Sequence, residues 1–431
     1  MSVLRHLTVA PSAARLTNSL RDIGYDFPSA VADLVDNSIA AGAGRVEVRL
    51  EFAGADSRVL IADDGSGMGS GQLLEALRFG SRQTYGPRDL GRYGLGLKTA
   101  SLSQCRSLTV VSRHGDASRT FVRQLDLDVI EEWDDWVICA PGNTSGVRAA
   151  REMLLQGYNT VVVWENLDRV LPADRPDGGW AKRRIETAAA KTARHLAMVF
   201  HRFLEGSAQG NSLELIVNGE RVPGWNPFGF PGASTTSLPE LSFQVPVGAG
   251  VGEVQLSRHV LPPRHAMDQE DWDRLAGPLK WNRQQGFYIY RADRLVQWGG
   301  WAGLRAIDEH TKLARVALSF DADLDPVFNI NVAKMRVSLP GELRQMLERP
   351  VHEVCMAAEA AYRSGAEPRG NLAVHRDPAP APGGDRLTGM LGLALRTAAL
   401  QSGDYDALGR IVKVLAEQTP DLVETLGLTD L

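Results

Sequence analysis

Residues 91–101 read GRYGLGLKTAS. Three glycines (Gly91, Gly94 and Gly96) stand against Lys98 and Thr99, and Ala100, Ser101 and Leu102 look like the opening of a helix. Glycine lets backbone N–H groups turn toward a ligand with no Cβ in the way. A helix start behind it adds free N–H donors and a field that favours an anion. The stretch is therefore either a phosphate cradle or an ordinary glycine-rich turn. A Walker A loop puts glycine directly before its lysine and follows a strand. Here Leu97 intervenes, and residues 81–89 (SRQTYGPRD) are polar and rich in breakers. A dinucleotide fingerprint would also follow a strand. The remainder of the chain has to decide.

The bulk of the sequence narrows the classes. A chain of 431 residues can form two or three domains, and 44% hydrophobic with 23% charged residues is ordinary for a globular protein. A formal charge of −5 carries no global nucleic-acid signature. Cys105, Cys139 and Cys355 are far apart and form no C-x-x-C pair, so neither a zinc site nor a disulfide framework is expected. Arg5, Arg15 and Arg21 interrupt the N-terminal apolar runs, and no stretch approaches the roughly 18 apolar residues of a membrane span. These features predict a cytoplasmic protein that does not engage a membrane.

The first half of the chain reads as helices and strands in alternation. A helix is expected from Pro11 to Gly24, and a second over 29–41 (SAVADLVDNSIAA), capped by Ser29. In that second helix Asp33 and Asn37 share a face at i and i+4, with Asp36 one step round. They are either a solvated face or a carboxylate and an amide aimed into a pocket. A carboxylate can take a proton from water, and an amide oxygen suits a hard ion such as Mg²⁺. Residues 45–52 alternate at period two, while 58–62 (RVLIA) are continuously apolar. The second run ends in Asp63, Asp64, Gly65, Ser66, Gly67 and Met68. This D-x-G-x-G is either a hairpin turn or a loop in which Asp63 accepts from an exocyclic amine while Gly65 and Gly67 admit a flat base. A short helix over 72–79, strands over 107–112 and 120–129, an irregular stretch over 131–143 and a buried strand over 157–164 follow. Thr160 lies in that last strand and could reach a ligand, although strand threonines are usually structural.

A long helix is expected over 181–204, with a domain boundary near Gly206. Beyond it lie strand-like runs at 212–217, 253–257, 286–291, 313–320 and 328–332. Residues 286–300 read as a hairpin turning at Ala292 and Asp293. Residues 329–337 (NINVAKMRV) place Lys334 after an apolar run, as many surface lysines are placed. Helices continue after Pro340, and residues 378–384 (PAPAPGG) form a linker to a helical tail.

In order, Asp33/Asn37, the D-x-G-x-G loop, the glycine-rich lid with Lys98 and then Gly157/Thr160 resemble the GHKL ATPase superfamily of gyrase B subunits, heat-shock chaperones, histidine kinases and MutL. The resemblance spans about residues 20–345. The lid is similar to the MORC form G-x-Y-G-x-G-L-K-[ST]-x-S, and Asn331-Val332-Ala333-Lys334 is similar to the lysine motif of the MutL and gyrase transducer. The fold implied is α+β: a GHKL (Bergerat) ATP-binding α/β sandwich over 1–205, then a ribosomal-protein-like βαβ transducer over 206–345. A helical extension (346–376), a linker (377–386) and a helical tail (387–431) complete it.

The resemblance also implies roles. Asn37 holds Mg²⁺ on the triphosphate. Asp63 reads the adenine amine, supported by Thr160 through a water, with Gly65 and Gly67 beside the base and Met68 packed near it. Gly91, Gly94, Leu95, Gly96, Leu97, Lys98 and Thr99 surround the phosphates of ATP, and Lys334 completes the γ-phosphate site. Asp33 stands where MutL, gyrase and MORC members have glutamate, one methylene or about 1–1.5 Å shorter in reach. A misplaced base can cost on the order of 10²-fold in rate, so slow hydrolysis is expected. Ala40 stands where relatives often have aspartate. The activity implied is that of an ATP-gated homodimeric clamp in a DNA-related process such as restriction-modification or phage defence, with partner proteins from those systems. The alternative is a nucleotide-dependent scaffold that hydrolyses negligibly. A histidine-kinase reading is weaker, because no phosphoacceptor helix precedes residue 20.

Overall fold

The computed structural model describes Val9 and residues 11–22, 24–80, 96–114, 119–172, 174–208, 212–248, 250–330 and 337–364, with 408–410, 412–414 and 423 in the tail. The chain divides into two compact units, 1–367 and 368–431. In the first unit the order is α1 (Ala13–Arg21), α2 (Phe27–Ala40), β1 (Arg45–Glu51), β2 (Arg58–Asp63), α3 (Ser70–Leu77), α4 (Gly96–Leu102), β3 (Ser107–Ser112) and β4 (Phe121–Asp126). Then come α5 (Leu127–Trp133), α6 (Ser145–Leu155), β5 (Thr160–Glu165), α7 (Gly179–Val199), α8 (His201–Leu204), β6 (Glu214–Val217) and β7 (Glu220–Arg221). A second group holds β8 (Thr236–Val247), β9 (Gly250–Val260), α9 (Gln269–Ala276), α10 (Lys280–Gln284), β10 (Gly286–Arg291), β11 (Arg294–Trp298), β12 (Ala314–Phe320), α11 (Asp325–Phe328) and α12 (Gly341–Ser364).

The first sheet has seven strands in the order β4-β3-β5-β2-β1-β6-β7. Successive strand residues point to opposite faces, so a strand buried on both sides must be apolar throughout. That explains the unbroken run in β2. Val59 and Ile61 pack with α2, α7 and α4 on one face, while Leu60 and Ala62 pack with α6 on the other. β5 divides the same way, with Val162 and Trp164 opposed to Val161 and Val163. The second sheet has five strands in the order β11-β10-β12-β9-β8, with α12 packed across it. Its core includes Phe287, Ile289, Val316 and Leu318. β10 and β11 form the expected hairpin, with Ala292 and Asp293 both at positive φ (46° and 65°).

Several local expectations shift. The cap of α2 is Asp26, whose carboxylate accepts the Ser29 N–H at 2.8 Å, so the helix begins before Ser29. α4 begins at Gly96, four residues ahead of Ala100. β4 stops at Asp126, because its side chain caps α5 through the Asp128 N–H at 3.0 Å and residues 127–129 turn helical. α6 was not expected; Thr144 caps it by accepting the Val147 N–H. β6 pairs in parallel with β1, so the run at 212–217 extends the first sheet instead of opening the second. Phe328 ends α11, and Asn329 (φ 48°) breaks the backbone where a strand was expected. Among the described residues no helix is long and apolar enough to cross a membrane.

Candidate functional site

α2 carries the site along one side of the first sheet. Asp33 is buried on it and Asn37, one turn on, is exposed. Ser38 follows and donates to Asp63 Oδ2 at 3.2 Å. Asp33 and Ser38 are five residues apart on the helix, about 7.5 Å along its axis. α2 therefore joins two polar centres.

The first centre sits at the end of β2. The strand register lines up Val46, Asp63, Thr160 and Ser112 across β1, β2, β5 and β3. Asp63 Oδ1 accepts the Gly65 N–H at 3.0 Å. The Thr160 and Ser112 hydroxyls lie 2.8 Å apart, and Ser112 Oγ also accepts the Met68 N–H at 2.8 Å. Burial raises the Asp63 pKa to about 6, against the lowering effect of the Gly65 and Ser38 hydrogen bonds. At neutral pH the group is ionised and can only accept. The Asp64 carboxylate points elsewhere, its Oδ1 accepting the N–H groups of Gly44 and Arg45 at 2.9 and 2.8 Å, and it acts on Asp63 only by its charge, which adds to the upward shift.

The loop after Asp63 needs its glycines. At Gly67 (φ 66°) an added Cβ would stand 1.7 Å from the Arg113 carbonyl oxygen, and at Gly65 it would stand 2.9 Å from that of Ala41. Asn159 holds the loop from β5's side by donating to the Gly65 carbonyl at 2.8 Å.

The second centre lies round Asp33. The Tyr25 hydroxyl donates to Asp33 Oδ2 at 2.6 Å. Gly96, the first residue of α4, is so close that an added Cβ would stand 3.3 Å from the same oxygen. Leu97 is half-buried, and Lys98 and Thr99 are buried. The Lys98 ammonium donates to the carbonyls of Ala76 and Arg78, at the end of α3, at 2.9 and 2.8 Å. Burial lowers its pKa to about 8, with Glu75 opposing. Gly91, Gly94, Leu95 and Lys334 lie outside the described residues.

Residues 25–150 match the family model described as "Histidine kinase-, DNA gyrase B-, and HSP90-like ATPase". Residues 25–150 therefore form a GHKL ATPase domain. The chain's likeness among curated proteins is to MutL. It is 33% identical over 102 residues to the DNA mismatch repair protein MutL of Afipia carboxidovorans, covering 23% of this chain and 16% of that protein. It is 31% identical over 122 residues to the MutL of Rhodospirillum rubrum, covering 27% of this chain and 17% of that one. The matched segment thus spans about a sixth of the length of these relatives.

The sequence alone does not point to Tyr25, Ser38 or Ser112 of this domain, nor to Arg294 outside it. Arg294 comes from β11, where its Nε donates to Asp36 at 2.9 Å and its Nη2 lies 3.9 Å from Asp33 Oδ1. The only sequence signal for Ser38 is its position beside Asn37; its partner Asp63 is 25 residues away.

Proposed function

We propose that the chain binds ATP between α2, the loop at residues 63–68 and the lid that runs into α4, and hydrolyses it slowly. The observation that carries this is the meeting of Asp33 with Gly96, the end of the lid, while the same helix presents Ser38 to Asp63. The carboxylate of Asp63 accepts from the adenine amine, with Thr160 and Ser112 beside it. Gly65 and Gly67 let the loop pass close against Ala41 and Arg113 and so hold it beside the base, and Met68 packs near it. Asn37 offers its amide oxygen to Mg²⁺, which supplies charge neutralisation along the triphosphate when bound. Asp33 takes a proton from the attacking water. The lid residues Gly91, Gly94, Leu95, Gly96, Leu97, Lys98 and Thr99 line the phosphates, and Lys334 meets them from the second sheet, which acts as the transducer.

Lys98 has to leave the carbonyls of Ala76 and Arg78 to reach a phosphate, and that exchange fits a lid that closes on nucleotide. Closure would bring two protomers together as a clamp in the cytoplasm. Association with DNA, and a place in restriction-modification or phage defence, belong to the same reading. The exposed Lys182, Arg183 and Arg184 on α7 are its local support. Failure to retain duplex DNA at low salt with ATP bound would remove that part. A second reading, a nucleotide-dependent scaffold, is favoured by the engagement of Asp33 with Tyr25 and the proximity of Arg294.

Turnover of ATP by the wild-type chain, Asp33→Ala and Asp33→Glu separates the two. The ATPase reading expects measurable wild-type turnover, at least a tenfold loss in the alanine variant and a gain with glutamate. Equal turnover in wild type and Asp33→Ala would contradict the role of Asp33, and absence of turnover in the presence of tight binding would favour the scaffold.

A further inference from the structure

Arg294 reaches α2 from a different sheet, 258 residues away in sequence from its partner Asp36. Its guanidinium is buried, as are Asp33 and Asp36. These carboxylates stand one helical turn apart, at i and i+3. Like charges in that relation repel, and burial raises the cost. One guanidinium offsets both: Nε lies 2.9 and 2.8 Å from the two Asp36 oxygens, and Nη2 lies 3.9 Å from Asp33 Oδ1. The second distance is about 1 Å beyond a hydrogen bond, so a small advance of the arginine would change how Asp33 is held. The Phe200 ring, 5.8 Å away, covers the guanidinium.

The hairpin tip that carries Arg294 is held in place by several contacts. Ala292 and Asp293 both adopt left-handed backbone, and neither is glycine. L-residues adopt that conformation only where their surroundings hold them in it. Asp293 is anchored by Arg202 of α8 at 3.0 Å, and Tyr290 by His201 at 2.8 Å. These bonds fix the turn against the first half of the chain and place the next residue, Arg294, under α2.

We propose that Arg294 is a positioning residue for Asp33, through which the docking of the second sheet sets the orientation of the water-activating carboxylate. The inference rests on the ATPase reading. The hairpin completes the acidic side of α2: with the arginine in place Asp33 is aligned, and with it withdrawn Asp33 turns and water activation fails. Nucleotide affinity depends on the Asp63 centre and is not set by this contact.

The test uses the full chain in three variants. In Asp36→Leu/Arg294→Met apolar groups replace the buried pair, a change that cores of this kind tolerate. Arg294→Lys keeps a charge without the fork, and Asp33→Ala is run in parallel. The double variant is expected to bind ATP within about threefold of wild type while kcat falls at least tenfold; Arg294→Lys should recover part of the loss. A double variant with wild-type kcat, or one whose whole loss lies in ATP affinity, overturns the inference. If Asp33→Ala also turns over like wild type, the ATPase reading falls with it. If Asp33→Ala is inactive while the double variant is not, only the positioning role falls.

Discussion

The Tyr25 hydroxyl lies 2.6 Å from Asp33 Oδ2, and both groups are buried. Burial and the neighbouring carboxylate raise the Tyr25 pKa, so the phenol stays protonated and donates. Tyr25→Phe removes that donor without opening a cavity. The loss should be on the order of 1.5–3 kcal/mol of stability, the usual size for a hydrogen bond to a charged group. ATP turnover should fall several-fold at unchanged ATP affinity. Urea unfolding and steady-state kinetics on the same preparation check both; an unchanged kcat would separate Tyr25 from the alignment of Asp33.

Asp63 predicts a pH dependence. Burial raises its pKa to about 6, and the ionised form is the one that accepts from an amine. Below pH 6 the proton competes with nucleotide, so ATP affinity should drop toward tenfold per pH unit. The effect on folding has the opposite sense. A carboxyl whose folded pKa is raised above its unfolded value near 3.8 loses stability as pH rises through that interval, and the penalty is complete above pH 6. Asp63→Asn should therefore be more stable than wild type at pH 7.5, by about 3 kcal/mol for a shift of this size, and the gap should close toward pH 4. Thermal melts at the two pH values, without nucleotide, read this directly.

Gly67 is predicted to be intolerant of any side chain. Its φ of 66° and the Arg113 carbonyl leave no room for a Cβ. Gly67→Ala should cost at least 2–3 kcal/mol, more than the roughly 1 kcal/mol of a left-handed alanine in open space. A melting temperature within a degree of wild type would contradict the geometry of the loop.

Much of the first sheet is legible from its residues. The unbroken run in β2 announces burial on two faces, and β1 alternates because its second face carries Glu47, Arg49 and Glu51, with Glu47 buried and held by Arg49 and Tyr158. α6 is harder to read: its start depends on the Thr144 cap, and its apolar side is short. The place of β6 could not be read at all, because a four-residue strand carries no sign of which sheet it will join. In the site, Asp63 and Thr160 are suggested by position, but the row they form with Ser112 depends on strand register. Arg294 is the extreme case. Among the arginines of the chain nothing local distinguishes it, and only the docking of the second sheet puts it beside Asp36.

If Asp63 at the end of β2 reads adenine, the preference of this chain among nucleotides resides in that carboxylate. The most direct measurement is equilibrium binding of ATP and GTP, with Mg²⁺, to wild type and to Asp63→Ala at pH 7.5. The expected result is saturable ATP binding by wild type, at least tenfold weaker GTP binding, and loss of the preference for ATP in Asp63→Ala. Equal affinity of wild type for the two nucleotides, or an Asp63→Ala variant that still prefers ATP, would contradict it.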